Sequence, residues 1–587
     1  MRSRWKRRAA VTGAALAVLV APLVVAAHSE AATLSLSVDL SSSRGPATGV
    51  GEGFLYGVNQ DATLPADQFL QPLKVNAFRG GGWFSGGWIK DNYKYGSATQ
   101  ADITSIIAQA RRLNQVGNHP QYQVLLSDLY GLNGGQPSNT VYPCDNGNCS
   151  NWATFIDSTV TALQASGVSF AYDIDNEPDI SVFWKAGVNS TQYFQMWDTA
   201  YKELRKVAPG AQIVGPSFAY TPQARASQWG TFLNHVKSAG TVPDWITNHD
   251  EGDVDDPVTV AQSLNSQLSA AGIAARPLSA NEYQPADRQT AGVTAWYLAR
   301  FAQSGYTNAM RGNWVCCMTP NLTGALVQSG GSWTTNGNWW ALRSYADLTG
   351  TLVATSGQVG STAISAAQDA GAQRAVAIVG DSNGRTGAAS VTFSGLSSLS
   401  WLAGGGNVNV VVKRIPEQAP LSAPVVVLDQ KMTIAGGSVT VPFSFQASHD
   451  AFAIYLTPGT PVSSPPVSSP PVSSPPVSSP PVSSPPPATG CRATYQSTGS
   501  WPGGFQGEVA VTNTGTTATN GWTVKWTFPS GQTITQLWNG VAVQTGSAVT
   551  VTNAAYNGAL SAGQSTTFGF TGSVNATNTP PTAVSCS

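Results

Sequence analysis

The chain is predicted to fold as several domains: a (β/α)8 TIM barrel, an antiparallel β-sandwich, a Pro/Ser-rich linker and a C-terminal all-β module. Three observations predict it. Between Phe54 and Leu348 short apolar, β-prone runs alternate with helix-length periodic segments, the pattern of a (β/α)8 barrel. From Thr351 to Pro458 the pattern turns to short alternating segments between glycine-rich turns, as in a small sandwich. Gly459 to Gly490 is mostly a Pro-Val-Ser-Ser-Pro repeat with nothing to bury, which leaves Cys491 to Cys586 to fold by itself. At 587 residues the chain is also too long for one core.

Residues 1–32 read as a secretory signal. Arg2, Arg4, Lys6, Arg7 and Arg8 precede an apolar run from Ala9 to Ala27 and then small residues, with cleavage expected between Ala27 and Ala32. Taking its five basic and one acidic residue from totals of 30 and 31 leaves 25 and 30, a net charge of −5. That balance offers no basic patch for nucleic acid. No later apolar run is long enough to span a membrane, so an exported, soluble, extracellular protein is expected.

Residues 33–350 are assigned to the barrel together with an N-terminal strand, Thr33–Leu40, which alternates and should pack outside the barrel or lend a strand to the sandwich. The barrel strands are predicted at Leu55–Asn59, Val75–Arg79, Gln123–Ser127, Ser169–Asp175, Ala211–Gly215, Trp245–Asn248, Pro277–Asn281 and Thr307–Gly312. Helical patterns fill the gaps, among them Ala101–Leu113, Trp152–Ala165, Tyr193–Val207, Trp229–Ser238, Val258–Ala271 and Ala291–Gln303, with Trp339–Leu348 last. A doubly wound open sheet is the rival, but no glycine-rich phosphate loop follows the first strand. Residues 351–458 form the sandwich, whose expected role is to brace the barrel. The linker, residues 459–490, should extend as a polyproline-like spacer reaching ~90 Å.

The chemistry concentrates in one stretch, Phe170-Ala171-Tyr172-Asp173-Ile174-Asp175-Asn176-Glu177-Pro178-Asp179. It starts as a buried strand and breaks at Pro178, which puts Glu177 at the C-terminal lip where barrels carry catalytic groups. Asn281-Glu282 ends the seventh strand in the same way. Two carboxyls facing each other across a barrel mouth suit glycoside hydrolysis, with one acid protonating the leaving oxygen and one carboxylate attacking the anomeric carbon. The acid must carry its proton at working pH, which a negative neighbour favours, and a guanidinium such as Arg79 favours an ionised nucleophile. Tyr283, directly after Glu282, is a candidate to hydrogen-bond near it. Trp83, Phe84, Trp88, Trp184 and Trp314 are candidates to stack on sugar rings. Five scattered histidines supply no metal site, and Asp253, Asp255 and Asp256 read as a solvated turn, so neither metal nor cofactor is expected.

These residues resemble glycoside hydrolase clan A, whose members are retaining enzymes marked by Asn-Glu-Pro ending strand four and Glu ending strand seven. The resemblance implies that Glu177 is the general acid/base and Glu282 the nucleophile. It further implies that Asn176 holds the sugar 2-hydroxyl, that Arg79 contacts the nucleophile and that His249 faces the substrate. Clan members usually carry Tyr shortly after that His, whereas this chain reads His249-Asp250-Glu251. Within the clan the Asn-Glu-Pro-Asp form and the flanking sandwich look most like family 39, with families 51 and 79 near.

In the last segment Trp522, Val524, Trp526 and Phe528 alternate with polar residues and are assigned to its core. Trp501, Trp538 and Tyr556 sit instead among Gly, Pro and Asn, which suits a flat binding strip. The segment resembles a family 2 carbohydrate-binding module over nearly its whole length, including the bracketing Cys491 and Cys586 and the Trp-Pro-Gly-Gly-Phe, Leu-Trp-Asn-Gly and Tyr-Asn-Gly segments. The resemblance implies three ligand-stacking rings and the cellulose-binding branch. Cys144 and Cys149 bracket a turn that a small disulfide loop would close, which leaves the adjacent Cys316 and Cys317 either to form a vicinal disulfide beside the cleft or to pack as two buried reduced cysteines. The whole then reads as a secreted, monomeric retaining glycosidase acting on wall polysaccharide and tethered to a cellulose surface. The alternative is a non-catalytic cellulose-binding protein with an inactive barrel.

Overall fold

The structure is a computed structural model, described for residues 33–81, 97–127, 141–252, 255–313, 322, 324–358, 360–459, 490–501, 503–538, 540–553, 557–574 and 578–587. The signal, the repeat linker, Trp83, Phe84, Trp88, Asp253, Trp314, Cys316, Cys317 and Tyr556 lie outside those residues. The chain divides into two units, one up to Pro465 and one from Pro466. Among the described residues no helix is long and apolar enough to cross a membrane.

The first strand of the larger unit, β1 (Leu34–Pro46), precedes eight parallel strands that close into a barrel: β2 (Gly53–Leu55), β3 (Ala77–Gly81), β4 (Gln121–Leu125), β5 (Ala171–Asp173), β6 (Gln212–Phe218), β7 (Trp245–Asp250), β8 (Leu278–Tyr283) and β9 (Asn308–Gly312). Helices between them cover the barrel and bury their apolar stripes on its outside. In Thr191–Val207, for example, Ser190 caps the start by accepting from Tyr193 N, and Tyr193, Met196, Trp197, Ala200 and Leu204 form the buried face. At Pro257–Ala270 the cap is Asp256, which also pairs with Arg300, so this end of the acidic loop has a structural role.

The inside of the barrel is polar. Arg79, Gln123, Asp173, Ser217, Thr247, Ser279 and Asn281 are all fully buried there. They bond to one another: Ser217 Oγ and Asn281 Nδ2 both donate to Asp173, and Gln123 Nε2 donates to Ser279 Oγ. Buried polar groups without such partners would each cost about 1–3 kcal/mol.

The expected sandwich is built from one continuous nine-stranded sheet. It includes β1, grouped above with the barrel, which runs antiparallel to Thr351–Ser356 and parallel to Gly387–Ser394. Apolar residues from both ends of the strand order, such as Val38, Phe393, Val410 and Ile454, share one core, so the sheet folds over on itself. Its other face, with Ala363, Val376 and Ile378, joins the barrel core against the helix Ala291–Ser304. Gly380 permits that approach, because a Cβ there would collide with the helix backbone at Ala295 and Trp296.

The smaller unit is two four-stranded sheets, with Cys491 disulfide-bonded to Cys586. Trp522, Val524, Trp526 and Phe528 are buried in its core.

Candidate active site

Glu177 reaches the barrel mouth on the segment that follows β5, with a backbone φ of 46°. A left-handed non-glycine residue costs on the order of 1–3 kcal/mol and persists only where the surroundings hold it. Here they do. Glu177 N donates to Ser217 O at 3.1 Å and Asn176 N to Ser127 O at 2.9 Å. Two residues on, the Asp179 carboxylate accepts from Ala219 N, Tyr220 N and Gln228 Nε2, which ties the whole turn to the segment after β6.

Glu282 arrives from β8. The register of β8 slips against both neighbours around Asn281 and Glu282. Such a bulge re-aims side chains. Asn281 and Glu282 therefore both face the barrel interior, where Asn281 holds Asp173 and Glu282 holds Arg79. Tyr283 then points the other way. It is fully buried among Tyr297 and Phe301, and its hydroxyl donates to Gly51 O at 3.1 Å. The expectation that Tyr283 hydrogen-bonds near Glu282 in the substrate cleft is corrected on this point. Trp184 is likewise core, packed edge-on against Tyr142 and Tyr193.

Arg79, at 0% exposure, organises the floor of the site. Its Nη1 lies 2.5 Å from Glu282 Oε1, its Nε 2.8 Å from Asp173 Oδ2, and its Nη2 2.9 Å from Asn176 Oδ1. Burial opposes its charge, but Asp173 and Glu282 outweigh that and keep it firmly cationic. For Asp173 burial is the stronger influence and raises its carboxyl above the usual range, against the pull of Arg79.

His249 bridges the pair. Its Nδ1 is 2.9 Å from Glu177 Oε1 and 3.5 Å from Glu282 Oε2. Burial pulls its pKa down to about 4, so the ring is neutral at neutral pH. One potential ligand atom from each of Glu177, His249 and Glu282 falls within 4.8 Å of the others. The spacing would fit a cation, but the Arg79 guanidinium already supplies positive charge to Glu282. Sequence reasoning thus placed Glu177, Glu282, Asn176, Arg79 and His249, and the structure brings all five together. It passed over Asp173 and Glu251. The alternation of β7 would have found Glu251: Thr247 and His249 face inward, Asn248 and Asp250 outward, and Glu251 inward again.

In the smaller unit Trp501 and Trp538 lie at the ends of two strands of one sheet, paired with Gly504 and Gly569.

Comparison with known proteins divides along the same boundary. Residues 491–587 match the family model described as cellulose binding domain. Over 83 residues, 14% of this chain, they are 61% identical to endoglucanase A of Thermobispora bispora, of which they cover 18%. The curated relatives matched are therefore similar to this chain in a small part of their length. The larger unit resembles a protein of Neocallimastix frontalis, with a TM-score of 0.61 and 24% identity over 73% of this chain and 100% of that one. It also resembles a glucosidase of Croceicoccus marinus, with a TM-score of 0.54 and 14% identity over 72% of this chain and 99% of that one. Those likenesses are of fold. Residues 491–587 are similar to the cellulose-binding domains of carbohydrate-binding family 2.

Proposed function

We propose that this chain is a secreted, retaining glycoside hydrolase that acts on plant cell-wall polysaccharide or its oligosaccharides and is held at cellulose by its C-terminal domain. The observation that carries the reading is the Glu177–Glu282 pair, with one carboxylate oxygen from each within 4.8 Å of the other across the mouth of the barrel. Retaining chemistry wants carboxyl groups roughly 5–5.5 Å apart, and inverting chemistry needs roughly 6.5–9.5 Å to admit a water. In the first step Glu177 gives its proton to the leaving oxygen while Glu282 attacks the anomeric carbon. In the second, water attacks the anomeric carbon and gives a proton to Glu177 as the glycosyl–Glu282 bond breaks. Arg79 holds the attacking carboxylate. It also binds Asn176 Oδ1, which leaves Nδ2 of that amide to donate to the sugar 2-hydroxyl.

Trp314 is a proposed stacking residue, and Trp501, Trp538 and Tyr556 are the proposed cellulose strip. The Asn-Glu-Pro-Asp motif favours a family 39-like enzyme of clan A. Aryl glycosides of xylose, glucose, arabinose and galactose, followed by wall polysaccharides, identify the sugar. On the accepted substrate Glu282→Gln should be nearly dead. Glu177→Gln should spare good leaving groups and be partly rescued by azide. Full activity in either variant on every substrate defeats the assignment.

A further inference from the structure

The site holds a third carboxyl. Glu251 follows the last residue of β7, and β7 is registered so that His249 lies opposite Glu282. Two residues beyond His249 on the same inward face, the Glu251 side chain enters the space beside the catalytic pair. Its carboxyl hydrogen-bonds that of Glu282. Its Oε1 is buried, and no donor reaches it.

We propose that Glu251 is a positioning residue that works as a neutral acid, donating its proton in a hydrogen bond to Glu282 and so fixing the face the nucleophile turns to the sugar. The inference rests on the reading of Glu282 as nucleophile. Two carboxyls in hydrogen-bond contact must share a proton, since two ionised oxygens repel and neither can donate. The surroundings decide which one keeps it. Glu282 has the Arg79 guanidinium at 2.5 Å, whereas Glu251 has a buried oxygen with no donor. The groups facing it agree. Burial comes first, then Glu282 from β8 and Glu177 from the segment after β5, all holding the Glu251 carboxyl well above the usual range. Arg79 from β3 opposes them and is already engaged by Asp173 and Glu282. On its own strand His249 is neutral and Asp250 faces outward.

The consequence is a proton that the first chemical step does not consume. At neutral pH it adds a hydrogen bond to Glu282 beside the salt bridge with Arg79. When it is lost at high pH, a second negative charge sits against the nucleophile.

The test uses the full chain with dinitrophenyl β-xyloside, β-glucoside and α-arabinofuranoside, whose leaving group departs without help from Glu177. On whichever is cleaved, kcat/KM is followed against pH for wild type, Glu251→Gln and Glu251→Leu. Glutamine keeps an N–H donor that never ionises, so its alkaline limb should move to higher pH. Leucine has no donor and should lose about 10- to 100-fold in kcat, most of which glutamine recovers. Coincident alkaline limbs in wild type and Glu251→Gln, or equal rates for the leucine and glutamine variants, overturn the proposal. Infrared difference spectra supply a second readout independent of turnover. Alongside the band of protonated Glu177, wild type should show a further neutral carboxyl stretch that Glu251→Gln lacks and Glu282→Gln shifts, and identical carboxyl spectra in wild type and Glu251→Gln are refutation. If wild type cleaves none of the glycosides, the hydrolase reading fails separately, and the infrared result still decides the state of Glu251.

Discussion

Replacing Arg79 by Met tests whether the floor of the site is held by charge. The side chain is wholly buried and bonded at once to Glu282, Asp173 and Asn176. Methionine fills similar space without a charge, so the change removes the cation from between two buried carboxyls. Breaking a buried pair from one side costs about 3–5 kcal/mol, because the remaining charge is left without compensation. The cost depends on pH in a defined direction. Without the guanidinium, burial acts on Asp173 against its remaining hydrogen bonds alone, and the folded state holds its proton to higher pH than the unfolded chain does. The stability from such a raised group is complete in acid and is lost as pH rises through the folded-state value. The penalty of Arg79→Met should therefore be small in mildly acidic buffer and reach its full size at neutral to alkaline pH. Calorimetry of wild type and variant across that range measures it, and the accompanying loss of activity should persist at every pH. Arg79→Lys should be intermediate, since one ammonium cannot reach three acceptors in fork geometry. A variant as stable as wild type at alkaline pH, or a penalty that does not change with pH, would refute the account.

Tyr283→Phe should cost about 0.5–1.5 kcal/mol of stability through the lost bond to Gly51 O and leave kcat and KM unchanged. A changed KM would put the hydroxyl in the cleft after all. Deleting residues 459–587 should abolish adsorption to crystalline cellulose while soluble aryl glycosides are still hydrolysed. In the full chain Trp501→Ala and Trp538→Ala should each weaken adsorption by about 1–3 kcal/mol, and adsorption unaffected by either would place the binding strip elsewhere.

The barrel was legible because parallel strands are buried on both sides and read as apolar runs between helical periods. Strand ends were less so. The first strand was expected to run from Leu55 to Asn59 but stops at Leu55, because Tyr56 and Gly57 both take positive φ and turn the chain out of the sheet. The curled sheet was hidden for another reason. The parallel pairing of β1 with Gly387–Ser394 joins segments some 350 residues apart, and no local pattern records it. Tyr283 was misplaced by proximity in sequence, since strand alternation sends it away from Glu282, and the bulge that brings Asn281 and Glu282 to one side leaves no sign in the sequence.

The polar interior was the least visible feature, and it ties the catalytic residues to the fold. An arginine at the floor of a barrel needs a buried counterion, and Asp173 supplies it from the strand that leads to Glu177. That counterion needs donors of its own, which Ser217 and Asn281 provide from β6 and β8. Ser217 also carries the carbonyl that holds Glu177 N, and Asn281 directly precedes Glu282. The acid, the nucleophile and the core are therefore joined through the same few hydrogen bonds. A substitution at Ser217 or Asn281 touches no sugar, yet it acts on both glutamates through Asp173 and Arg79. In this barrel the network that makes burial of Arg79 tolerable is also the one that sets the distance between the two carboxyls.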